Sequence, residues 1–207
     1  MHPSFSRVVT VACSLFLSVG MTACGDDEVS SDEQARRAYL GLDESISKAL
    51  QLGFSGFNAA SSANIPLQSA PGNVSGTLLI SGQVDQGSSA NKNMRLRVGM
   101  ASYSDGAVAA GKDEDPVNIT YASATEPATQ PELILQLRDI PNGTFSGTFV
   151  GAFQMTGDLK GEVTLSLNMT GRIENDGTGK VRRQAGTTLV TGTATSGEGV
   201  YAVSLTR

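Results

Sequence analysis

The chain has no tryptophan, one histidine (His2) and two cysteines (Cys13 and Cys24) in 207 residues. A catalytic thiol needs a neighbouring base or cation to lower its pKa, and histidine commonly serves. A structural or catalytic zinc centre needs several nitrogen or sulfur ligands at set spacing. Neither inventory is present. Basic residues are also in deficit, 15 against 20 acidic, a formal net charge of −5. Nucleic-acid binding requires a basic footprint, so that class is excluded too. Aromatics make up only 5%, so any core is built mostly from aliphatic side chains. The chain is still long enough to support one domain.

What is present begins at the N-terminus. Arg7 is the only charged side chain before Asp26, and an apolar run extends from Val8 to about Met21. The run is short for a membrane span, which needs roughly 20 apolar residues. A positive start, a short apolar centre and a small-residue exit have the form of a secretory signal. The exit reads Met21-Thr22-Ala23-Cys24-Gly25. It resembles the lipobox of bacterial lipoproteins, with Met21 where that family prefers Leu. The resemblance covers residues 7–25 only. It implies cleavage after residue 23, acylation of Cys24 and a stable membrane anchor, since several acyl chains hold where one does not. Gly25 in place of an aspartate implies sorting to the outer membrane of the cell envelope. Loss of residues 1–23 removes Arg7 and no acid, so 14 basic residues face 20 acidic ones, net −6.

The mature chain then divides into three parts. Residues 24–31 are polar and acidic and are expected to form a lipid-anchored tether. Residues 32–65 are expected to be helical. Ser31 and Gln34 have capping-box spacing, and Asp32 and Glu33 suit the positive end of a helix dipole. Ala35, Tyr39, Leu42, Ile46, Ala49 or Leu50, Gly53 and Phe57 recur at 3–4 spacing, one apolar face. A single long helix, or two with a kink near Gly41 or Gly53, both fit, with Pro66 closing the region. From residue 66 to 207 the period is two. The clearest run places Val163, Leu165, Leu167 and Met169 on one face and Glu162, Thr164, Ser166, Asn168 and Thr170 on the other. Turn pairs, Gly157-Asp158 the strongest, separate the runs. The expected fold is mainly β with an N-terminal α-helix. An antiparallel meander of about seven to nine strands forms a curved sheet or incomplete barrel packed on the helix, one domain with it.

Motifs of reaction chemistry are thin. Ser45-Ile46-Ser47-Lys48 has the S-x-x-K form of penicillin-recognising enzymes, but the S-D-N and K-T-G motifs that complete such a site are missing. The ordinary reading is a solvated polar helix face. Gly106 to Lys112 nearly forms a phosphate loop, but Asp113, Glu114 and Asp115 follow and would repel phosphate. Those three acids, and Asp26-Asp27-Glu28, lack the alternating spacing of a calcium loop. The N-x-S/T triplets at Asn73, Asn118, Asn142 and Asn168 read as polar strand and turn residues. No catalytic, cofactor or metal residue is assigned, and Cys24 is the one site, for lipidation. The expected role is a non-enzymatic envelope lipoprotein, structural or interaction-mediating, partnered by the membrane and by an envelope protein. The alternative is a carrier of an apolar ligand or lipid in a curved-sheet cavity, where Phe149 and Leu165 would line the concave face.

Overall fold

A computed structural model describes residues 28–109 and 111–207. Cys24, and with it the lipidation assignment, lies outside the described residues. The chain opens with two helices, α1 (Asp32–Leu40) and α2 (Asp43–Ala59). Ser31 caps α1 by accepting from the Gln34 amide at 3.2 Å. The Gln34 side chain reaches one residue further back than a capping box requires and accepts from the Ser30 amide at 2.7 Å. Of the two break points allowed by sequence, the chain uses Gly41. A side chain there would meet the Tyr121 hydroxyl, 2.4 Å from an ideal Cβ. Gly53 stays inside α2, where the same lack of a side chain admits the Met94 sulfur. The bend sends α1 against one sheet edge and α2 across the other.

Ten strands follow: β1 (Asn64–Pro71), β2 (Ser75–Val84), β3 (Lys92–Ser104), β4 (Ile119–Ala122), β5 (Glu132–Arg138), β6 (Thr144–Gly157), β7 (Gly161–Asn175), β8 (Val181–Arg183), β9 (Leu189–Ser196) and β10 (Gly199–Thr206). All pairings are antiparallel, and the sheet is curved without closing into a barrel. Strands β1–β3 form one flank, β4–β6 the middle and β7–β10 the other flank. Between β3 and β6 one slot is shared by two short strands. β4 occupies one half, with Tyr103 opposite Tyr121, and β5 the other, with Leu96 opposite Leu133. The Gly157-Asp158 turn joins β6 to β7 as a hairpin, with Met155 opposite Gly161.

Two boundaries move from their sequence positions. The helical part ends at Ala59, not residue 65, because Gly56 packs directly on Ile65 and the chain must already have turned back. Pro66 lies inside β1, at the register shift between Ile65 and Gln68. β1 is an edge strand, where a missing N–H costs little. Residues 28–31, assigned from sequence to the tether, pack on the domain. Val29 is fully buried, and its carbonyl accepts from Ser196 Oγ at 2.5 Å. The opposite edge is covered as well: Asp32 Oδ1 accepts from the Ala202 amide of β10 at 2.7 Å. That contact satisfies a group which an open edge would offer to another chain.

The concave side is filled. Phe149, Phe153 and Tyr121 pack together, Phe153 edge-on to Tyr121 at 6.2 Å and tilted to Phe149 at 5.5 Å. Val163, Leu165, Leu167 and Met169 are buried beside them, and Thr164, Ser166, Asn168 and Thr170 are exposed, as alternation predicts. Each large apolar side chain so buried contributes roughly 1.5–3 kcal/mol. Among the described residues, no helix is long and apolar enough to cross a membrane.

Candidate functional site

The polar chemistry of the molecule gathers along α1 and α2, where the helices meet both flanks of the sheet. Tyr39, Asp43 and Ser47 follow one another at helical i,i+4 spacing and so share a face. β8 brings Arg183 to that face. Its Nη1 donates to Asp43 Oδ1 at 2.9 Å and its Nη2 to Asp43 Oδ2 at 3.1 Å. It also donates to the Asp43 carbonyl and to Ser47 Oγ. The Tyr39 hydroxyl donates to Asp43 Oδ1 at 2.7 Å, and Arg207 approaches Oδ2 at 3.5 Å. The ion pair is nearly enclosed, with side-chain exposures of 8% for Arg183 and 10% for Asp43.

Burial alone would raise the Asp43 pKa. The Arg183 charge and hydrogen bonds outweigh it, aided by the Tyr39 hydroxyl and Arg207, and hold the carboxyl below its ordinary range. Arg183 is correspondingly held protonated, Asp43 offsetting its desolvation. Burial, then the Asp43 charge, pushes Tyr39 well up, so its hydroxyl is a donor and not a base. Both oxygens of Asp43 are occupied. The arrangement is a clasp between α2 and the β8 flank, with no lone pair left aimed at a substrate.

A second clasp ties α2 to the other flank. Lys48 Nζ donates to Asp105 Oδ1 at 2.6 Å, Asn73 Oδ1 at 3.0 Å and the Pro71 carbonyl at 3.1 Å. It also lies 5.3 Å from the Tyr103 ring centroid. The Tyr103 hydroxyl donates to the other Asp105 oxygen, and burial followed by that bond raises its pKa. A third contact holds the loop between β3 and β4. Arg36 pairs with Glu33 and Glu114, and Arg37 donates to the Asp115 carbonyl. Between the first two clasps sits Glu44, open to solvent on one side. Partial desolvation raises its pKa, with the charges of Arg183 and Lys48 acting the other way.

The residues singled out by motif are drawn into this framework. Ser45 is buried and gives its hydroxyl to the Leu42 carbonyl at 2.6 Å, while Lys48 points to Asp105. The S-x-x-K stretch is thus neither a nucleophile and its base nor the solvated face expected of it. In the stretch from Gly106 to Lys112, of which Ala110 lies outside the described residues, Val108 bridges to Val117 as β structure. Of Asp113, Glu114 and Asp115, Glu114 is spent on Arg36. Among the described residues no group of three or more His, Cys, Asp or Glu could hold a metal ion. Asn73 holds Lys48 and Asn142 accepts from the Asn175 amide, consistent with their reading as turn residues.

Two clefts open beside the clasps. One, of about 640 Å³, lies over Asp43, Glu44, Arg182 and Arg207. The other, of about 770 Å³, lies between α2, the β1–β2 turn and the tip of the β7–β8 hairpin. No protein-family model, curated protein or solved structure matches the chain.

Proposed function

We propose that the chain is a bacterial envelope lipoprotein, anchored through acylated Cys24, whose folded domain has a structural or partner-binding role and no catalytic one. The observation that supports this reading is how closely residues 28 and 29, just after Cys24, are tied to the domain. Val29 is sealed into the domain against Ser196, and Glu28 lies beside Gly161. Five residues of chain reach at most about 18 Å, so a lipid on Cys24 would hold the β6–β7 and β9–β10 turns close to a membrane. A polar framework whose carboxylates and hydroxyls are spent on one another suits a rigid body better than a reaction centre. The alternative, a carrier of an apolar ligand inside the curve of the sheet, has less in its favour, because Phe149, Phe153 and Leu165 already occupy that space.

Growth with an alkyne-tagged fatty acid tests the anchor. The full-length chain should take up label and sediment with membranes, outer membranes in particular. Cys24→Ser should be unlabelled and released. An unlabelled wild type, or a Cys24→Ser chain that keeps its label, overturns the reading. Crosslinking in cells should then capture a specific envelope protein; recovery of none above background counts against the partner-binding role.

A further inference from the structure

From the 770 Å³ cleft we infer a binding site for a single-chain amphiphile with an anionic head, a fatty carboxylate. The cleft lies on the seam where the sheet fails to close, with α2 as its floor, β1 on one side and the β7–β8 tip on the other. Its volume is in the range of small-molecule sites, about 300–1,000 Å³. Half-buried Leu52 and Phe54 of α2 and buried Val181 of β8 give the floor an apolar strip, flanked by Gln51, Ser55 and Asn58. In a chain of net charge −5, the lining holds two lysines and no carboxylate.

The two lysines differ. Lys48 is matched by Asp105 and contributes a fixed wall. Lys180 stands at the hairpin tip. The nearby Asp176 spends Oδ1 on the Thr178 hydroxyl and on the amides of Thr178 and Lys180. The Asp176 charge balances part of the Lys180 charge from outside the lining, and the exposed Lys180 side chain is the cation that lines the cleft at this end. An apolar strip ending at one cation fits a chain ending in one anion. The concave face plays no part, and the site belongs to the folded domain whether or not Cys24 is acylated.

The test uses dodecanoate carrying a diazirine, added to membranes bearing the full-length chain, irradiated and mapped by peptide mass spectrometry. Crosslinks are expected on residues 51–58 and 179–181, competed by dodecanoate and not by dodecylamine. Lys180→Glu and Ser55→Glu both alter exposed side chains, so folding should be unaffected. Each should cut the yield by about two- to fivefold, the effect of reversing or adding one surface charge beside the head. Crosslinks centred on Leu165 and Met169, equal competition by dodecylamine, or yields unmoved by both variants would overturn the proposal. A Cys24→Ser chain should give the same map, which separates this site from the anchor; loss of the map in that chain would also overturn it.

Discussion

Removing the carboxylate of Asp43 is the sharpest test of the framework. Asp43→Ala leaves the Arg183 guanidinium, 8% exposed, with only Ser47 and a backbone carbonyl as partners, and strips the Tyr39 hydroxyl of its acceptor. Deleting one member of a buried pair costs about 3–5 kcal/mol. For a domain of this size each kcal/mol moves the midpoint by about 2–4 °C, so the melting temperature should fall by roughly 6–20 °C. Replacing the whole cluster at once, Asp43→Leu with Arg183→Met and Tyr39→Phe, removes both charges and the orphaned hydroxyl. That variant should recover to within about 2 kcal/mol of the wild type. Calorimetric melts of all three proteins read the comparison. pH supplies a second axis. Folding depresses the Asp43 pKa, so its stabilisation is complete above the unfolded value, about 3.9. It is lost as pH falls through the lower folded value, and the gap between wild type and Asp43→Ala should close there. A single-variant cost below about 1 kcal/mol, typical of exposed pairs, would refute the claim that this pair is buried and holds α2 to β8.

Glu44→Gln should melt higher than the wild type near pH 7 and equal to it near about pH 4. Folding raises the Glu44 pKa, so the wild type loses stability as pH climbs through the window above about 4.3 and the amide does not. Gly41→Ala should cost about 1–3 kcal/mol in denaturant titrations, because the added methyl meets the buried Tyr121 hydroxyl, itself bonded to the Ala38 carbonyl. Phe153→Ala should cost about 3–5 kcal/mol by the same assay if the concave side is a packed core. A loss under about 1 kcal/mol would instead indicate open space beside the ring.

The fold was largely legible because its core obeys simple periods. The stripe from Ala35 to Phe57 and the alternation from Val163 to Met169 each name one buried face, and a helix stripe over a one-sided sheet leaves few arrangements. The two strands that escaped notice lack that signal. β1 carries two prolines, and β8 is three residues long. The clasps were illegible for another reason. Asp43, Ser47 and Lys48 look like surface helix residues, and nothing local links them to Arg183, 140 positions away, or to Asp105, 57 away. Polar residues that pair only through the tertiary fold carry no period to read. The four-residue spacing of Tyr39, Asp43 and Ser47 was the one available hint.

The helical N-terminal part of the described chain is held by its C-terminal residues. Val29 is held by Ser196, Asp32 by Ala202 and Asp43 by Arg207, at separations of 167, 170 and 164 residues. Such long-range contacts make the entropy of loop closure fall due before any reward, and chains rich in them fold slowly. Until β10 is available, α1 has no edge to lie on, and Ala35, Ala38 and Tyr39 lack their cover. A chain that must pass through a membrane unfolded, as the proposed anchor requires, gains from this order of events. The architecture leaves α1 without its sheet edge until the C-terminal strand is present, so late completion of the fold is written into which residue meets which.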